Sequence, residues 1–168
     1  TFATKFSDID DLLGLDHRNH TQIRISVNPA HIIRRIELGT SQLNERIQAA
    51  NKLFKAGYRV GVNIAPIILM EGWRELYDDM MHELTEKLDD ELQKRTFFEL
   101  IFMTYGLANE TINQAALPNS INIFEKEKMR PKGRGKYCYK TNIHDEAAVF
   151  FQKELAGLFP NATISYIV

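Results

Sequence analysis

Six polar side chains fall where strand alternation gathers them on one side of a sheet: Lys5, Arg24, Ser26, Asn28, Asn63 and Glu99. Side chains alternate across a strand, so residues two apart share a face. In Gln22–Asn28 one face carries Ile23, Ile25 and Val27, and the other carries Gln22, Arg24, Ser26 and Asn28. In Tyr58–Ile68, Val60, Val62, Ile64 and Pro66 oppose Gly61, Asn63 and Ala65. Thr1–Lys5 sets Ala3 and Lys5 against Phe2 and Thr4, and Thr96–Met103 puts Glu99 on the face of Phe97 and Ile101. A parallel strand covered on both faces reads as apolar throughout. Strands that are apolar on one face and polar or small on the other imply a sheet whose outer face packs on helices while its inner face lines a polar, ligand-binding cavity. The alternative is a sheet with one partly solvated face, on which Arg24 and Glu99 pair with each other and Asn28 caps the turn before Pro29.

A second feature is electrostatic. The chain of 168 residues has net charge −1, yet Glu125 to Lys140 holds seven basic residues against two acids and is +5, leaving −6 on the remainder. Lys126, Lys128, Arg130, Lys132, Arg134, Lys136 and Lys140 make a local cationic segment on an acidic body, which points to a polyanionic partner. Its bland counterpart is a solvated charged hairpin.

Other chemistries lack their residues. There is no Gly-rich phosphate loop and no nucleophile elbow. His17 and His20, near Asp16, are at most half a metal site. The single cysteine, Cys138, makes no internal disulfide and by itself binds neither an iron–sulfur cluster nor a structural zinc. One cysteine fits a reducing, cytoplasmic setting, and no apolar run reaches the length of a membrane span. Hydrophobic content of 44% and charged content of 26% suit one globular domain with a real core.

The elements that must position these residues alternate. After the strand Thr1–Lys5 comes a helical turn at Asp8–Leu13, then the strand Gln22–Asn28. Ser41–Ala56 reads as a helix with Ser41 as N-cap, Glu45 near the positive end, Leu43, Ile47, Ala50 and Phe54 on one face, and Gly57 as its stop. Tyr58–Ile68 is a strand, Glu71–Leu88 a helix and Thr96–Met103 a strand, with a short helix at Asn109–Ala116. Such alternation implies right-handed βαβ units and a parallel sheet. Ser120–Phe124 and Tyr137–Thr141 read as a hairpin around the basic segment, followed by a helix at His144–Leu158 and a strand at Ala162–Val168. The acidic runs Asp8–Asp11 and Asp89–Glu91 read as solvated helix ends.

Several strings, in order from Phe2 to Val168, resemble the spore photoproduct lyase family: FATKF with DIDDLL, HRNHTQIRISVNP, ELGTSQLNERIQAANKLFKAGYRVGVNIAPIILMEGWRELY, FFELI, GKYCY and FPNATISYIV. The long middle string is the specific one. The resemblance implies an α/β fold, the C-terminal part of a partial (β/α) radical S-adenosylmethionine barrel with a basic β-hairpin and a C-terminal helix. Residues 1–116 would belong to the partial barrel, and 117–168 would hold the hairpin, helix and final strand packed on it. It also implies S-adenosylmethionine and a [4Fe–4S] cluster as cofactors. The implied reaction is repair of the UV-induced thymine photoproduct in DNA, with the lesion flipped out of the stack. Lys5, Ser26 and Ala65 match family positions that bind S-adenosylmethionine, the last through its backbone. Asn28 and Asn63 join them as cofactor-side candidates from the alternation above. The hairpin, with Arg130, Lys132, Arg134, Lys136 and Tyr137, matches the element that meets DNA at the lesion.

Two departures accompany the resemblance. Family members carry a longer hairpin with an Arg-Tyr pair; here MRPKGRGKYCY is shorter, and only Gly133, Gly135, Lys136 and Tyr137 align. The Cys-x3-Cys-x2-Cys cluster motif and the hydrogen-donor cysteine lie upstream in the family, and Cys138 matches neither. The chain opens at Thr1 within a strand, so a preceding N-terminal half is expected as its partner, and this segment alone is expected to have no catalytic residue and no activity. The alternatives are a related radical enzyme with another nucleic-acid substrate, or a non-catalytic DNA-binding module.

Overall fold

The structure, a computed structural model, describes residues 1–116 and 121–168. Strands β1 (Phe2–Thr4), β2 (Gln22–Val27), β3 (Arg59–Ile67), β4 (Phe97–Phe102) and β8 (Thr163–Ile167) form a five-stranded sheet in that order, parallel at every pairing. Helices α1 (Ala30–Arg35), α2 (Leu43–Lys55), α3 (Trp73–Lys87) and α4 (Asp90–Arg95) fill the first crossovers. A second sheet orders β5 (Thr104–Gly106), β7 (Lys136–Tyr139) and β6 (Met129–Gly133), all antiparallel. Helix α5 (Leu107–Ala116) follows β5, and α6 (Thr141–Leu158) leads from β7 back to β8. The expected mixed α/β fold with a parallel sheet is present; the sheet is open, with β1 and β8 as its edges among the described residues.

The alternation in the strands decides which face is covered. Ile23, Ile25, Val27, Val60, Val62, Ile64, Phe98 and Leu100 are all buried, in one core with Leu43, Ile47, Ala50 and Leu53 of α2, Tyr77, Met81 and Leu84 of α3, and Ala147, Phe151 and Leu155 of α6. Helix α2 stops as its sequence requires. Gly57, at φ +88°, lets its own N–H reach Phe54 O and that of Tyr58 reach Leu53 O.

The local structure differs from the sequence expectations in several places, among them an additional strand, β5. Helix α2 begins one residue later than the Ser41 cap implies: Glu45 accepts from Gln42 N–H at 2.6 Å, while Ser41 Oγ accepts from Ser7 N–H at 2.8 Å. Ser41 is thus used to bind the chain after β1. The short helix α1 was not anticipated, nor was α4, where the acidic run includes the cap, Asp89 accepting from Glu91 N–H. The hairpin also has a different first strand. Met129–Gly133 pairs with Lys136–Tyr139, no strand covers 121–124, and Ser120 lies outside the described residues.

Gly61 is required by packing rather than by its φ. It lies beside Phe97 across the β3–β4 pair, and a Cβ there would meet the Phe97 ring at 2.1 Å. Phe97 is itself buried, with the Arg59 guanidinium over its ring. Gly61→Ala is therefore expected to destabilise by about 1–3 kcal/mol through overpacking, measured by urea denaturation. Adding Phe97→Leu should return part of the loss.

Candidate cofactor face and nucleic-acid hairpin

On the face opposite the apolar core, the strand register lines up Ser26, Asn63, Glu99 and Tyr166 as one row across β2, β3, β4 and β8. Ser26, Asn63 and Glu99 are buried. Glu99 is fully engaged: Arg24 Nη1 donates to both its oxygens at 3.2 and 2.9 Å, and the Tyr166 hydroxyl donates at 3.1 Å. The pairing of Arg24 with Glu99 anticipated as an alternative is thus realised. Asn63 differs. Its Nδ2 makes only a long contact to Ser26 Oγ, 3.5 Å, and its Oδ1 is buried with no hydrogen-bond partner; Arg24 Nε is likewise unpartnered. A buried polar atom without a partner is costly, and native structures rarely leave one unexplained. This row therefore has hydrogen-bonding capacity beside Ser26 that the described residues do not use.

Lys5 and Asn28 stand just past the carboxyl ends of β1 and β2, and Ala65 sits near that end of β3. Lys5 is partly exposed, and its ammonium donates to Glu37 Oε1 at 2.7 Å. Asn28 has a different place from the one expected. It is fully buried; its amide donates to Glu37 Oε1 at 2.7 Å and Pro66 O at 3.1 Å, and accepts from the Tyr77 hydroxyl at 3.0 Å. With both Nδ2 hydrogens and an Oδ1 lone pair used internally, it is a strut beneath the face rather than a group presented on it. Tyr77 O–H in turn accepts from Ile68 N–H at 2.9 Å, and its burial raises its pKa well above the usual phenol value.

Glu37 and Arg46 were missed by the sequence reading. Burial alone would raise the pKa of the Glu37 carboxyl, but hydrogen bonds from Lys5, Asn28 and Arg46 outweigh it and hold the group below its ordinary range. A signal for Arg46 existed, since it lies among Leu43, Ile47 and Ala50 on the buried stripe of α2. A buried guanidinium demands a carboxylate; nothing local names Glu37 as that partner.

The hairpin stands at the same end of the sheet. Its base is fastened to Leu69, just after β3: the Tyr139 hydroxyl accepts from Leu69 N–H at 2.8 Å and Lys128 Nζ donates to Leu69 O at 2.7 Å. Phe124 stacks on Tyr105 at 4.8 Å and meets Tyr137 edge-on at 5.2 Å. The turn is the two-residue loop Arg134–Gly135, both with positive φ (+52° and +69°), as tight hairpin turns demand. Arg130, Lys132, Arg134 and Lys136 are exposed, and none has an ion-pair partner among the described residues; Tyr137 is half-buried. Four unpaired cations on one tight ribbon suit phosphate contacts.

The remaining candidates are unremarkable in place. His17 stacks on Tyr58 at 4.0 Å, no cluster of metal-ligating side chains occurs among the described residues, and Cys138 is a half-buried residue of β7. No helix of the described residues is long and apolar enough to cross a membrane.

Fold and site together define an α/β protein with a parallel sheet, a polar row on one face and a basic ribbon at its carboxyl edge. The family model for spore photoproduct lyase matches residues 1–168. The chain is 34% identical over 169 residues to the spore photoproduct lyase of Bacillus subtilis (strain 168), covering 98% of this chain and 49% of that one. It is 33% identical over 171 residues to that of Clostridium acetobutylicum, covering 99% and 50%. A solved mutant of spore photoproduct lyase with bound AdoMet and dinucleoside spore photoproduct superposes with a TM-score of 0.93 at 29% identity, over 99% of this chain and 50% of that one. The same values hold for a spore photoproduct lyase complexed with dinucleoside spore photoproduct. The chain belongs to the spore photoproduct lyase family. It spans about half the length of the curated relatives it matches.

Proposed function

We propose that this chain is the C-terminal part of a radical S-adenosylmethionine lyase that repairs the UV-induced thymine photoproduct in DNA, acting in the cytoplasm. In this reading the five parallel strands are part of a partial (β/α) barrel completed by an N-terminal half. The observation that carries it is the polar row on the face opposite the core, with the unpartnered Asn63 Oδ1 beside Ser26, next to the carboxyl ends of β1 and β2, the end of an α/β sheet where ligands bind.

The residues present fit S-adenosylmethionine. Lys5 offers N–H donors for an anionic group, Ser26 and Asn63 offer a hydroxyl and a free carbonyl oxygen, and Ala65 offers backbone. Asn28 contributes from below by holding Glu37. The described residues do not fit a [4Fe–4S] cluster: one cysteine is present and no group of ligands surrounds it. The cluster ligands and the hydrogen-donor cysteine are assigned to the N-terminal half. Bound S-adenosylmethionine, with a reduced cluster, supplies the hydrogen-abstracting chemistry. The residues of this chain bind and orient it, while Arg130, Lys132, Arg134 and Lys136 hold phosphates and Tyr137 braces the ribbon against Phe124.

The test is turnover. The full-length protein, reconstituted with cluster, S-adenosylmethionine and a reductant, should convert dinucleotide spore photoproduct to the thymidine dinucleotide, with both thymines restored and the phosphodiester intact. DNA binding without turnover would favour a non-catalytic module, and turnover of a different nucleic-acid lesion only would move the substrate. For the hairpin, Lys136→Ala should weaken duplex binding and reduce the salt slope of log K by about one unit; an unchanged slope rejects phosphate contact at Lys136.

A further inference from the structure

We propose that Glu37, backed by Arg46, is a positioning residue that holds the Lys5 ammonium in place for the cofactor. The inference rests on the reading of Lys5 as a cofactor contact. Glu37 lies on no strand; it follows α1 in the crossover to α2. Yet it joins three strand ends. One carboxylate oxygen accepts from Lys5, past β1, and from Asn28, past β2, both at 2.7 Å. Asn28 extends the link to Pro66 O on β3.

The other oxygen accepts from Arg46 Nη2 at 2.7 Å. Arg46 is completely buried and every nitrogen is used: Nε donates to Ser41 O, Nη1 to Ser26 O at 2.9 Å, and Nη2 also to Thr40 Oγ1. A guanidinium with a fixed fork fits such a site better than an ammonium. One buried pair thus sets both the Lys5 side chain and the backbone of Ser26.

The charge count gives the arrangement its use. A carboxylate facing Lys5 alone would neutralise it. Here Arg46 balances Glu37 from behind, so the trio is net positive, and the surplus lies on its one partly exposed member, Lys5. Lys5 has further N–H donors beyond the one given to Glu37, and a long side chain that would otherwise lose rotamer entropy on binding is held beforehand. The ligand group this favours is an anion placed at the rim.

The experiment measures S-adenosylmethionine binding by equilibrium dialysis to the full-length, cluster-loaded protein without reductant, below each variant's melting temperature. Lys5→Met and Glu37→Gln should each raise Kd about tenfold, near 1.4 kcal/mol, and the double variant should be no weaker than Lys5→Met alone. A contribution of Glu37 independent of Lys5 would instead multiply the two losses, and that result, or an unchanged Kd for Glu37→Gln, overturns the proposal. An unchanged Kd for Lys5→Met overturns the cofactor reading of Lys5, and the proposal with it. If Glu37→Gln does not fold, Glu37→Asp, which keeps the charge against Arg46 but shortens the reach to Lys5, takes its place with the same two outcomes.

Discussion

Arg46→Met is expected to lower the unfolding free energy by about 3–5 kcal/mol, because it leaves a buried carboxylate facing no guanidinium. The reasoning follows from burial. Arg46 has no exposed surface, and the Glu37 side chain is 4% exposed. Removing the cation leaves that carboxylate to Lys5 and Asn28 alone and takes the Arg46 donors from the carbonyls of Ser26 and Ser41. Methionine fills much of the volume, so the loss is electrostatic and hydrogen-bonding rather than a cavity. Urea denaturation should show a lowered midpoint at an unchanged slope. The double variant Arg46→Met with Glu37→Gln should lose less than Arg46→Met alone, since the buried charge that Arg46 had paired, then left to Lys5 and Asn28, is gone. An exposed pair such as Lys52 with Asp10 provides the control: deleting it should change stability little, because exposed ion pairs contribute little. If Arg46→Met proves as mild as that control, the pair is not the keystone described above.

Phe151→Ala is the second large effect, also about 3–5 kcal/mol. Phe151 is completely buried where α6 meets α3 and β4, edge-on to Tyr77 at 5.1 Å and near Trp73, Phe102 and Phe150. Truncation opens a cavity that four rings cannot collapse without moving. The consequence reaches the polar face, since the Tyr77 hydroxyl carries both Ile68 N–H and Asn28 Oδ1. Hydrogen exchange at Ile68 should therefore accelerate more than exchange in α2. Val149, exposed on the same helix, should tolerate alanine within about 0.5 kcal/mol. Equal losses at Val149 and Phe151 would contradict this packing.

The hairpin illustrates how a sound local argument meets a wrong partner. Ser120–Phe124 and Tyr137–Thr141 read as the two strands, with the basic segment, Pro131 included, as the loop between them. Yet the Arg134–Gly135 turn brings the immediately preceding residues back at the lowest closure cost, and β6 is an edge strand, where proline and charge are tolerated. Asn28 shows the same limit. Alternation put it with Ser26, but it falls just beyond β2, where the chain turns and its amide meets Glu37 and Tyr77.

By itself the sequence determined which strand residues share a face, where α2 stops, and that the cationic segment belongs to a hairpin whose second strand holds Tyr137. These depend on the periods of helix and strand and on the φ that glycine allows, all properties of neighbours along the chain. Only the tertiary structure decided that Arg24 meets Glu99, that Arg46 and Lys5 share Glu37, and that Leu69 fastens the hairpin. Those partners lie far apart or on different elements. They are selected by which donor and acceptor lose water together once the sheet and helices close on each other, a condition no local pattern encodes.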